Sequence, residues 1–159
     1  MPRSFLWLTL LFVGCVSSPY PIEYKTLDGN WASSQTLSFA LEEGLLETPH
    51  HLYFHVRNTD AYAFSNIFLI ARLKDSTAVL VTDTLEYAMA TPEGAWIGKG
   101  FGEVKESVLW WKENLALKTQ GPLTVEVEHA MRAFGKAEGV TALEGIVAVG
   151  LGVVPQKNN

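Results

Sequence analysis

Three histidines are the first residues whose spacing points to chemistry. His50 and His51 are adjacent, and His55 follows four residues after His51. On a helix, a spacing of four brings two imidazoles to one face, as a metal site requires. The run Leu52-Tyr53-Phe54-His55-Val56-Arg57, however, alternates and reads as a strand, with Tyr53, His55 and Arg57 on one side. In a strand His51 and His55 share a face but lie about 13 Å apart at Cα, too far for one metal without further ligands. His129 is remote in sequence. The histidines are therefore read as surface groups beside a strand, and neither a metal nor a cofactor is expected. A lone cysteine also excludes a structural zinc site built on thiolates.

Other reactive types are present without a reactive pattern. Carboxylates occur at Asp60, Asp75, Asp83, Glu86, Glu93, Glu103 and Glu106. Glycoside hydrolysis needs two at a set separation, which no spacing here defines. Ser65 and Ser76 lack the glycines of a nucleophile elbow. Gly98-Lys99-Gly100 sets a lysine among glycines, but no Gly-Lys-Ser/Thr follows, so it is not a phosphate-binding loop. The expectation is a protein that is not an enzyme and takes no small-molecule substrate.

The strongest chemical signal is the cysteine itself. Arg3 precedes an apolar run from Phe5 to Val13, then come Gly14, Cys15 and a polar Val16-Ser17-Ser18-Pro19. Nine residues cannot span a bilayer, which takes about 20. They fit the apolar core of a secretion signal, typically about 7–15 residues. Phe12-Val13-Gly14-Cys15 resembles a lipobox, although leucine is usual where Phe12 stands. Such signals imply a diacylglycerol on the Cys15 sulfur, cleavage before Cys15, and a further acyl chain, such as palmitate, on the freed amine. One chain binds a membrane only marginally, at about 0.8 kcal/mol per buried methylene, whereas two or three hold durably. The organisation expected is a signal over residues 1–14, a lipidated tether over 15–22, a domain over 23–155 and a tail over 156–159.

Removing the signal leaves 145 residues, enough for one domain with a real core. No disulfide can support it, so packing must. The formal charge is −5, without a basic cluster, which argues against a nucleic-acid partner.

The elements that must carry all this repeat with period two. Residues 36–41, 52–57, 79–87 and 123–128 alternate, and 146–154 reads as a last strand. Residues 67–73 are nearly all apolar, as in a central strand buried on both faces. Turn residues separate these runs at Gly29, Gly44, Asn58-Thr59-Asp60, Asp75-Ser76 and Gly121-Pro122. The pattern predicts an all-β protein, a single antiparallel β-sandwich of jelly-roll-like or Ig-like type. Two segments break it. Residues 88–106 read as one long glycine-rich loop, and residues 129–135 as one short helix stopped by Gly135.

The loop's glycines permit close approach to a neighbour, and Trp96 in their midst has the size to pin the loop to the sandwich or to form a contact surface. Trp110 and Trp111 follow; in a strand they point to opposite faces, so at most one enters the core. Trp96, Lys99, Phe101, Trp110 and Trp111 are the candidate interaction surface.

The loop and its flanks also carry a family resemblance. Asp83-Thr84-Leu85-Glu86-Tyr87, followed by the stretch Ala90 to Glu103, resembles the hallmark of the gliding-motility lipoprotein H (GldH) family of Bacteroidetes. Arg57-Asn58-Thr59-Asp60-Ala61-Tyr62 with Ser65-Asn66, and Glu126-Val127-Glu128-His129-Ala130-Met131-Arg132, resemble further segments of it, with His129 where glutamine is usual. The resemblance runs over about residues 20–154. It implies a lipid site at Cys15 and a place among gliding and type IX secretion proteins. It implies no chemical activity and no catalytic residue. The expectation is a lipid-anchored interaction module, on the outer membrane and facing the periplasm because Val16-Ser17-Ser18 lacks an acidic export signal. The alternative is a glycan-binding sandwich, since aromatic faces stack on sugars.

Overall fold

Alternation of inward apolar and outward polar side chains produces ten antiparallel strands in the computed structural model, which describes residues 20–119, 121–133 and 135–157. They are β1 (Ile22–Thr26), β2 (Asn30–Ala32), β3 (Leu37–Leu41), β4 (His50–Asn58), β5 (Asn66–Lys74), β6 (Val79–Ala88), β7 (Lys105–Leu115), β8 (Leu123–His129), β9 (Ala142–Glu144) and β10 (Ile146–Pro155). The first sheet has the order β1-β10-β4-β7 and the second β3-β8-β5-β6, with β2 and β9 forming a small third pair.

The pairing is nested. β5 pairs with β6, β4 with β7, β3 with β8, β2 with β9 and β1 with β10. The chain is thus one long hairpin rolled up, and the rolling adds the contacts β10–β4 and β8–β5. That is the jelly-roll arrangement of two four-stranded sheets, which decides between the two sandwich types expected.

The core lies between the sheets. Leu52, Phe54 and Val56 of β4 face Ile67, Leu69 and Leu73 of β5 and Val125 and Val127 of β8, all fully or nearly fully buried. Each such side chain contributes about 1.5–3 kcal/mol on leaving water, which is what holds a chain without disulfides together.

Two expectations need correction. The described residues of 129–135 form no helix: His129 and Met131 are buried while Ala130 and Arg132 face outward, so period two persists. The Ala130 amide donates to the Phe68 carbonyl at 2.9 Å, and Arg132 bridges to Gly139. Helical structure among the described residues is one 3-10 turn, Leu45–Glu47. Strand β5 is central, as expected, but buried on one face only. Ile67, Leu69, Ala71 and Leu73 are buried, whereas Phe68 and Ile70 are half-buried because no further layer covers that side.

The glycine-rich loop is real and spans residues 89–104, between β6 and β7. The strand after it, β7, is the longest among the described residues. Its alternation is broken where Tyr53 pairs with Trp110 but Leu52 with Lys112, leaving Trp111 as the extra residue of a β-bulge.

Candidate interaction surface

The outer faces of the two sheets differ in kind. That of the second carries ion pairs such as Arg72 to Glu128 at 2.8 Å and Lys74 to Glu126, the composition of a solvated face. That of the first is aromatic. The register sets Ile22, Gly152, Tyr53 and Trp110 in one row across β1, β10, β4 and β7, and Tyr24, Gly150, His55 and Val108 in the next.

The glycines of β10 make the rows possible. A Cβ on Gly152 would come within 2.7 Å of the Tyr20 ring, and one on Gly150 within 2.8 Å of Tyr24. With hydrogens there, Tyr20 and Tyr24 lie down on the sheet. Tyr20 stacks near Tyr53 at 6.3 Å between centroids, and Tyr53 meets Trp110 edge-on at 4.8 Å. Trp110 remains 44% exposed and Val108 54%.

In the second of these rows and the one after it, toward the Asn58 end of β4, polar groups converge on Glu106. It accepts hydrogen bonds from the Arg57 Nε at 2.5 Å and the Tyr24 hydroxyl at 2.8 Å, and its other oxygen lies 3.1 Å from His55 Nδ1. The Arg57 guanidinium stacks over the Tyr24 ring at 3.9 Å. Partial burial works against the Glu106 charge, but the bonds from Arg57, Tyr24 and His55 prevail and hold its carboxyl below the usual range. Burial, followed by the bond to Glu106, pushes the Tyr24 phenol up to about 12.

Loop 89–104 projects from this polar end. The Trp96 indole donates to Asp60 Oδ1 at 2.8 Å and its ring packs near Tyr62, so Trp96 is half-buried and pins the loop. Lys99 and Glu106 exchange backbone hydrogen bonds at 2.9 and 2.8 Å. That closure needs glycine on both sides: a Cβ on Gly98 would lie 2.7 Å from the Ser107 hydroxyl, and one on Gly100 2.2 Å from the Val104 carbonyl oxygen. The loop therefore has a fixed base and an apolar tip. Ile97, Phe101 and Val104 are exposed there, Phe101 completely. A shallow depression beside the tip is lined by Arg57, Lys99, Phe101 and Val104.

The five sequence candidates thus divide. Lys99 and Phe101 share the loop tip, and Trp110 lies on the aromatic face further along β7. Trp96 holds the loop from beneath. Trp111 is buried, stacks on Phe54 at 5.0 Å and faces the core, the opposite side from Trp110. The reading of surface histidines is overturned for His50, His55 and His129, each at most 5% exposed. His55 is buried although it faces outward, because Tyr20 and Tyr24 lie over it. No group of three potential metal ligands occurs among the described residues. Cys15 lies outside the described residues. Sequence reasoning did not single out Tyr20, Tyr24 and Tyr53 for this surface; the outward period-two positions of β4 carry the signal for Tyr53.

Comparison with known proteins completes the description. The family described as GldH lipoprotein matches residues 21–153. The chain is 36% identical over 154 residues to the "Gliding motility lipoprotein GldH homolog" of Christiangramia forsetii, covering 97% of this chain and 94% of that one. It is 35% identical over 145 residues to the "Gliding motility lipoprotein GldH" of Flavobacterium johnsoniae, covering 91% and 90%. No solved structure matches.

Proposed function

We propose, from the premise that this chain belongs to the GldH lipoprotein family, that it is a lipid-anchored envelope protein serving gliding motility through protein contacts, with no catalysis of its own. The names of its relatives support the motility role. The same machinery includes type IX secretion, and the anchor is the acylated Cys15 on the periplasmic side of the outer membrane. Residues 15–22 tether the domain that follows.

The observation that carries the contact role is the loop 89–104. Its base is closed by the Lys99–Glu106 pairing and the Trp96–Asp60 bond, while Phe101 stands fully in water. A pre-ordered apolar tip loses little entropy on docking, which is how a small patch becomes a useful anchor. Lys99 beside it is exposed and supplies a cation for an acidic group of the partner.

The test places a photo-crosslinking side chain at Phe101 and, as control, at Leu80, an exposed residue of β6 far from the loop. Crosslinks in native envelopes to proteins of the secretion machinery at position 101 and not at 80 support the reading, together with loss of gliding or secretion in Phe101→Ser cells that keep normal membrane-bound levels. Equal crosslinking at both positions, or full function in Phe101→Ser, rejects it. The glycan-binding reading draws on Trp110 and Tyr53, whose rings meet edge-on in an exposed row. Polysaccharide binding that disappears in Trp110→Ala would favour it.

A further inference from the structure

The aromatic face and the point where the chain enters the domain coincide. Tyr20 rests on Tyr53 and His55 at the start of the described chain. β1 runs antiparallel to β10, with Ile22 opposite Gly152, so the chain preceding Ile22 extends toward Pro155 and the His50 end of β4. The loop lies at the opposite end, since Asn58 of β4 pairs with Lys105 and Glu106 with Lys99.

Geometry then limits orientation. Four residues lie between Cys15 and Tyr20, so whatever their conformation the five peptide links reach at most roughly 18 Å. Ile22 is level with Tyr53 through Gly152, so Tyr20 lies about 23 Å along the strands from Asn58, with the loop tip beyond it. A domain tethered at the Tyr20 end cannot stand with its loop end on the lipid, because its attachment point would then be further from the leaflet than the tether allows.

On the outer face of the first sheet, Tyr20 and Tyr53 lie toward the tethered end and Trp110 lies midway along β7, with His51 beside the indole at 5.2 Å. Tyrosine and tryptophan are the side chains enriched at the membrane–water boundary, where an apolar ring and a polar tip are both accommodated. Acidic groups lie near this row: after the larger effect of burial, Glu113 helps to raise the Tyr53 phenol, and Glu106, after burial and Tyr53, that of Tyr20. Nothing basic dominates the patch, so the chemistry suits a zwitterionic headgroup layer rather than an anionic one.

Resting on the reading that Cys15 is acylated, we infer that Tyr20, Tyr53 and Trp110 lie against the headgroups of the leaflet that holds the acyl chains. The occupant of the aromatic end is lipid. The anchor and the face act together, and they present loop 89–104 away from the membrane toward its partner.

The experiment uses the mature acylated protein in zwitterionic vesicles, its acylation first read from its mass. With Cys15 blocked by lipid, Trp110→Cys and Phe101→Cys each provide one free thiol for a spin label. The label at 110 should be several-fold less accessible to a water-soluble relaxing agent than the label at 101. A second measurement needs no label: a headgroup nitroxide should quench the intrinsic tryptophan emission of wild type and lose most of that effect in Trp110→Phe. Equal accessibility at the two positions, or quenching unchanged in Trp110→Phe, overturns the inference while leaving the anchor intact. An unmodified Cys15 in the mass overturns both.

Discussion

The Trp111 indole donates to the Asp83 carboxylate at 2.9 Å, and the two residues belong to different sheets. Trp111 is on β7 and Asp83 on β6, the two edge strands on the same side of the sandwich. The β-bulge at Trp111 also brings Lys112 within 2.7 Å of Asp83. This bond fastens the open side of the roll. Trp111→Phe keeps the stack on Phe54 but loses the donor, and should cost about 1 kcal/mol, because Asp83 is partly exposed. Trp111→Ala should cost about 3–5 kcal/mol through the cavity it leaves. Urea unfolding of the domain without its signal measures both.

Glu106 should make stability depend on acid. Its folded carboxyl titrates below the ordinary 4.5, so its contribution is complete above that pH and is lost as the pH falls through the lower folded value. Glu106→Gln should be less stable by about 1–2 kcal/mol at neutral pH. Its stability curve should approach that of wild type under acid, and a constant difference at all pH values would contradict the assignment.

His129 acts in a higher window. Burial lowers its pKa below the ordinary 6.5, outweighing the favourable influence of the Trp31 backbone and the Glu128 charge. Neither ring nitrogen has an aligned hydrogen-bond partner among the described residues. The unfolded chain therefore takes up the proton first, and stability contributed by the neutral ring is full above about pH 6.5 and declines below it. His129→Leu should remove that part of the decline between pH 7 and 5, seen as a smaller fall in melting temperature than wild type shows.

Gly100→Ala should separate fold from function. A Cβ 2.2 Å from the Val104 carbonyl oxygen must open the loop base, yet it touches no core residue. Unfolding free energy should change by about 1 kcal/mol, as for a strained loop position, while crosslinking through position 101 should fall strongly.

Cys15→Ser should release the protein from membranes. A few exposed aromatic side chains do not replace two or three acyl chains. Membrane fractionation of cells carrying this variant checks it, and a variant that stays bound would refute the anchor.

Much of the sandwich was legible because alternation is a local property. Leu123 to Glu128 shows inward and outward positions in the residue types alone, and β8 has them where expected. The opposite sides taken by Trp110 and Trp111 followed from the same period. The short β1, β2 and β9 were not legible, since three to five residues hold too few repeats to show a period. The bulge hid β7 by shifting its alternation partway along. The segment from His129 to Met131 reads equally as helix or strand until the Phe68 carbonyl takes the Ala130 amide and settles it.

By itself the sequence determined an all-β protein of a recognisable lipoprotein family, because the family's segments and period-two burial are written in neighbouring residues. Tertiary structure decided the rolled topology and gathered Tyr24, Arg57, His55 and Glu106 into one cluster from strands up to 82 residues apart. It also decided that the row of Tyr53 and Trp110 lies two rows along the same strands from the Lys99–Glu106 pairing that closes the loop. These are facts of strand order and register, fixed by which partners leave the fewest apolar groups and backbone bonds unsatisfied across the whole chain, and no local pattern encodes them.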